Sequence, residues 1–160
     1  MNYCKPDYDN CLVNLSNSIL KAFGAETTAP TLKMADNLLE GSHKNVVVLL
    51  MDAMGISILE KHLQPDGFLR SHLAGSYSSV FPPTTVAATT SVLSGLYPNE
   101  HGWLGWDMYY PELDKNVTVF TNNEQATEDD EGNVKPLVPA ADFHAGFKFT
   151  PYKNIITKIN

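Results

Sequence analysis

The feature that most constrains this 160-residue chain is Asn45-Val-Val-Val-Leu-Leu-Met51, an apolar run with no polar break, closed by Asp52. A strand with one wet face alternates polar and apolar side chains. A short run without alternation, rich in β-branched residues, suits a strand covered on both faces, as in a parallel sheet between helices. The flanking segments agree. Residues 12–23 carry Leu12, Leu15, Ile19, Leu20 and Phe23 at helical spacing, with Gly24 as a stop. Residues 31–39 read as a second short helix ended by Gly41, and residues 56–63 as a helix directly after the apolar run. Residues 75–81 contain a second strand, Ser-Tyr-Ser-Ser-Val-Phe, broken by Pro82-Pro83. Thr85 to Ser94 has small side chains and no Gly or Pro, and Gly95 stands where a helix ends. This alternation predicts an α/β fold with a mostly parallel sheet flanked by helices.

After Gly102 the pattern changes. Trp103, Trp106, Tyr109 and Tyr110 form an aromatic cluster, for which packing is the prior reading and stacking on a base or sugar the functional one. Residues 122–133 are polar and acidic, a solvated loop, and residues 134–149 show no clear period. Residues 104–150 therefore read as an excursion or lid, and 152–159 as the start of another helix.

Hydrophobic residues make up 43% of the chain and charged residues 18%, a globular rather than a disordered composition. The net charge of −7 argues against a nucleic-acid polymer as partner, because no basic face is available. A small anion can still bind where a metal ion or helix terminus supplies positive charge. No apolar run approaches the roughly 20 residues of a membrane span, so no membrane partner is expected. The polar first residues do not resemble a signal peptide, and Cys4 and Cys11 form no metal-ligand pattern. Two free thiols and a cytoplasmic protein are the expectation.

Two residues stand where chemistry can occur. Asp52 follows the apolar run, at the strand end where open α/β sheets place their ligands. It either caps the next helix or faces a cation. Thr85 begins a helix after the second strand, where backbone N–H groups favour an anion. It is either part of an ordinary cap or a hydroxyl nucleophile in need of activation. In a parallel sheet both emerge on one edge. A carboxylate and a hydroxyl sharing one divalent ion then prepare an in-line attack on phosphorus.

Residues 46–55, followed by Phe81-Pro-x-x-Thr85 and Ser94-Gly-Leu-Tyr-Pro-Asn-Glu-His-Gly102, resemble the type I phosphodiesterase/nucleotide pyrophosphatase family of the alkaline phosphatase superfamily. The resemblance spans roughly residues 45–106, and the Gly-Leu-Tyr-Pro-x-x-His-Gly segment is its most specific part. It implies an alkaline-phosphatase-like α/β core and two divalent metal ions, zinc in first place. It also implies Asp52 as ligand of one metal and Thr85 as the nucleophile on that same metal. The implied reaction is hydrolysis of a phosphodiester or pyrophosphate bond in a small-molecule phosphate ester, a nucleotide among the candidates. Two positions depart from the family pattern. Val86-Ala87-Ala88 replaces the Phe-Pro-Asn usual after the nucleophile, and Trp106 stands where an Asn tends to hold a phosphoryl oxygen. Trp106 is thus a candidate substrate contact, and phosphomonoesters, phosphonates and sulfate esters remain alternative substrates. His101 belongs to the pattern in a structural or supporting role. His43, His62, His72 and His144 lack ligand spacing and are assigned to the surface.

A two-metal site needs more ligands than Asp52 and Thr85. The expectation is that residues 1–160 form the N-terminal portion of one alkaline-phosphatase-like domain, with the remaining Asp and His ligands outside this chain. On that view the 160 residues alone hydrolyse no diester above background. A non-catalytic fragment is the competing reading. Sulfatases and phosphomutases use Cys or Ser nucleophiles, so Thr85 counts against both.

Overall fold

The computed structural model describes residues 5–159. Its helices are α1 (Leu12–Ala22), α2 (Lys33–Leu38), α3 (Ile56–His62), α4 (Phe68–Ser71), α5 (Thr85–Ser94), α6 (Pro98–His101), α7 (Ala145–Phe149) and α8 (Ile155–Ile159). The strands are β1 (Asp107–Tyr110), β2 (Lys115–Thr118) and β3 (Asn123–Glu124).

The centre is α1 packed on α5, with α2 and α8 against α1. Helix α5 has no charged side chain, and Val86, Ala87, Thr90, Ser91, Val92 and Ser94 are buried in it. Its small residues let α1 approach closely. The buried face of α1 is not the apolar stripe alone: Asn14, Ser16, Asn17 and Ser18 are also inside. Burying amides and hydroxyls is costly unless each finds a partner, and here they do. Asn17 donates to the Gly95 carbonyl at 2.9 Å and accepts from the Thr28 and Ala29 N–H groups at 2.8 and 3.1 Å. Asn14 donates to the Pro30 carbonyl at 2.9 Å, and Ser16 to the Val92 carbonyl at 2.8 Å. These bonds fix the chain after α1 and the C-terminal end of α5, which closes on Gly95 in the left-handed region (φ 70°). Phe23, expected on the apolar face, follows the last helical residue and is exposed.

The mostly parallel sheet expected from the sequence does not form among the described residues. Residues 45–51 belong to no strand and have no ladder partner. Val47 is 89% and Leu49 76% exposed, so the apolar run lies open instead of covered on both faces. Residues 75–81 contribute one parallel bridge, Cys11 to Ser78. The physical reason is missing neighbours: a buried strand needs backbone partners on its edges and helices on its faces, and no described segment takes those places. The sheet that does form is small and antiparallel, in the order β1-β2-β3. It lies in the region read as an excursion, with Met108 opposite Val117 and Tyr110 opposite Lys115. Tyr110 and Val117 face its core with Ala140 and Ala145. The fold is a mixture of helices and one small antiparallel sheet. No helix is long and apolar enough to cross a membrane among the described residues.

Cys11 is a buried free thiol, and burial raises its pKa. Cys4 lies outside the described residues.

Candidate active site

Thr85 is the first residue of α5, and Thr84 is its cap. Thr84 has extended backbone (φ −102°, ψ 153°), and its Oγ1 accepts the Ala87 N–H at 3.3 Å. The Thr84 hydroxyl donates in turn to the Leu104 carbonyl at 3.5 Å, so the chain after α6 lies against the start of α5. The N–H groups of Thr85 and Val86 fall in the first turn, where no intrahelical acceptor exists. They present the positive end of the helix.

Asp52 ends the exposed apolar run and opens a tight turn, in which Ala53 has positive φ (54°) and donates its N–H to Asp52 Oδ1 at 2.9 Å. It does not cap the following helix, because the N-cap of α3 is Gly55, with no side-chain cap bond. The Asp52 carboxylate faces α5 instead. Thr85 Oγ1 stands 3.4 Å from both Oδ1 and Oδ2. That is longer than the roughly 2.7–2.8 Å of an ordinary O–H···O bond. The two candidates drawn from separate segments therefore meet, 33 residues apart in sequence. Asp52 is exposed and Thr85 half-buried, so the pair opens to solvent.

As metal donors, the carboxylate and hydroxyl supply hard oxygen ligands. They do not make a closed set: among the described residues no three His, Cys, Asp or Glu side chains gather to hold an ion.

His101 is buried at the end of α6. Its Nδ1 accepts the Trp103 N–H at 3.0 Å, and its Nε2 lies 3.1 Å from Ser91 Oγ in the middle of α5. An accepting Nδ1 places the imidazole proton on Nε2, which donates to Ser91. Burial pushes this imidazole down to about 4. The neutral ring ties α5 to the turn that carries Leu104 back to Thr84. His43, His62 and His72 are exposed, as expected. His144 is not a surface residue. It is half-buried and stacks on Trp103 at 5.8 Å, because α7 folds back under that indole. Gly146 makes this close approach possible: a Cβ there would stand 2.6 Å from the Trp103 ring.

The aromatic cluster divides. Trp103 and Tyr110 are core residues, whereas Trp106 (49%) and Tyr109 (55%) are exposed. Trp103 packs on Val86 and Val119, one residue beyond Thr85. Phe120 lies against Trp103 at 6.1 Å and meets Trp106 edge to face at 5.7 Å. Phe120 and Leu104 carry no sequence signal as site residues, because only the folding of β2 beside Trp106 brings them here.

A family model described as type I phosphodiesterase / nucleotide pyrophosphatase matches residues 46–150, which include Asp52, Thr85 and Trp106. The chain belongs to the type I phosphodiesterase/nucleotide pyrophosphatase family, whose members are phosphodiesterase- or pyrophosphatase-type hydrolases. No curated protein and no solved structure matches it.

Proposed function

We propose that this chain is the nucleophile-bearing part of a metal-dependent hydrolase of phosphodiester or pyrophosphate bonds, with Thr85 as nucleophile and Asp52 as ligand of its metal. The observation that carries the reading is the placement of Thr85 Oγ1 3.4 Å from both Asp52 oxygens at the start of α5. Two oxygen ligands about 2.0–2.2 Å from a tetrahedral zinc stand about 3.3–3.6 Å apart, so the pair suits one shared ion. Bound there, a divalent cation, zinc in first place, lowers the hydroxyl pKa and offsets charge on the phosphoryl oxygens. Asp52 holds the hydroxyl in place, and the first-turn N–H groups of Thr85 and Val86 receive a phosphoryl oxygen. Thr85 Oγ bonds to phosphorus as the ester oxygen leaves with its alcohol. Water then cleaves the Thr85–phosphorus bond and frees the hydroxyl.

Asp52 and Thr85 are too few ligands for two metals. We place the others beyond these 160 residues, in the same alkaline-phosphatase-like domain. The open apolar run 45–51 supports this, since it has the composition of a strand awaiting neighbours. Residues 104–150 are the excursion, and Trp106 contacts the organic part of a small phosphate ester, a nucleotide among the candidates.

The test is turnover of a chromogenic phosphodiester by the complete enzyme that carries this chain. Thr85→Ala should lose at least about 100-fold in rate, given the contribution of a positioned nucleophile. Undiminished turnover in Thr85→Ala would remove the proposal.

A further inference from the structure

We infer that Trp106 and Phe120 form a stacking ledge for a flat aromatic ring carried by the phosphate ester, a specificity element beside the Thr85 hydroxyl. The inference rests on the proposed role of Thr85 for its orientation, but not for its test.

The ledge is continuous with the start of α5. Val86 follows Thr85 and packs on Trp103; Phe120 lies on Trp103, and Trp106 meets Phe120 edge to face. This row of side chains leads from the helix start to the surface. The two outer members are the open ones, Trp106 at 49% and Phe120 at 37% exposure. From the other side, the Leu104 carbonyl accepts the Thr84 hydroxyl two residues before Trp106.

The backbone beneath Trp106 is held: its carbonyl accepts the Val119 N–H at 2.8 Å, immediately before Phe120. An aromatic side chain on an anchored backbone loses little conformational entropy when a ligand stacks on it. The chemistry around it selects a ring over an anion. The neighbouring carboxylate, Asp107, is already engaged by Thr118 and by Gln125, and its charge disfavours a second phosphate. The phosphate therefore belongs at the Thr85 end, and the uncharged ring at the Trp106 end. Alanine substitution at base-stacking aromatics costs about 1–3 kcal/mol per base, so Trp106→Ala should weaken ring binding at least about fivefold.

The chain has two tryptophans, which give two indole N–H resonances. Trp103 Nε1 is tied to the Thr150 carbonyl at 2.8 Å and serves as internal control. The 160-residue chain is titrated with adenosine 5′-monophosphate, p-nitrophenyl phosphate, ribose 5-phosphate and n-octyl phosphate. The ledge predicts that the first two shift the Trp106 signal more than the Trp103 signal, and that ribose 5-phosphate does not shift it. Preference between the two ring-bearing compounds tells a nucleobase from an aryl group. Trp106→Ala and Phe120→Leu should each weaken both, and Trp106→Phe should restore most of the affinity. Equal response to ribose 5-phosphate, tighter binding of n-octyl phosphate, or unchanged affinity in Trp106→Ala and Phe120→Leu would overturn the ledge. Turnover by Thr85→Ala leaves this result untouched, so the two readings fail separately.

Discussion

The buried imidazole of His101 makes the stability of this chain depend on pH in a defined direction. In the fold its pKa lies at about 4, against an ordinary value of 6.5. Burial is the main cause, since a charged ring would lose water without gaining a counterion. Nδ1 is occupied by the Trp103 N–H, so protonation also breaks that bond. Between the two values the unfolded chain holds a proton that the native chain excludes. Stability therefore rises with pH across this window: the His101 contribution is complete above about pH 6.5 and lost as the pH falls towards 4. The gap between the values corresponds to about 3 kcal/mol, a large share of a domain's usual stability of about 5–15 kcal/mol. Burial also lowers the pKa of His144, which titrates in the same sense. The two are separated by comparing the unchanged chain with His101→Gln. Urea unfolding at intervals from pH 7 to pH 4.5 should show a steep loss in the former and a shallower one in the latter, with His101→Gln less stable at pH 7. Equal pH slopes in the two proteins would refute the reasoning.

Two substitutions separate the helix start from the chemistry. Thr84→Ala removes the bond to the Ala87 N–H and should cost about 1 kcal/mol in unfolding free energy, with turnover of the complete enzyme largely intact; a loss of rate matching that of Thr85→Ala would assign the wrong threonine. Asp52→Asn keeps the shape of an exposed side chain and removes its charge, so zinc titration should show one weakened metal and a lost rate with the unfolding curve unchanged; survival of both metal stoichiometry and rate would reduce Asp52 to a turn residue.

Helix α5 was legible because its limits are local. Pro82-Pro83, the Thr84 hydroxyl and Gly95 each act on the backbone within a few residues, and the structure starts the helix at Thr85 as expected. The meeting of Asp52 and Thr85 was also legible, though for a reason only partly right. Both follow extended segments, but no parallel ladder joins those segments among the described residues. Periodicity understated the interior of α1, because Asn14 and Asn17 are buried through bonds to Pro30 and Gly95, far along the chain. No local pattern announces such partners. The antiparallel sheet was missed for a different reason. Its strands are two to four residues long, too short for alternation to rise above the surrounding polar sequence. His144 and Phe120 gained their positions only from the folding of α7 and β2 around Trp103.

The central claim is that phosphorus bonds to Thr85 Oγ during turnover. The complete enzyme is mixed with a phosphodiester at saturating zinc, quenched in acid during the first turnovers, digested and sequenced by mass spectrometry. The account predicts a phosphoryl adduct on Thr85 in the Phe81-to-Ser94 region, absent from Thr85→Ala. An adduct on Thr84 or elsewhere, or full turnover by Thr85→Ala with no adduct on any residue, would contradict it.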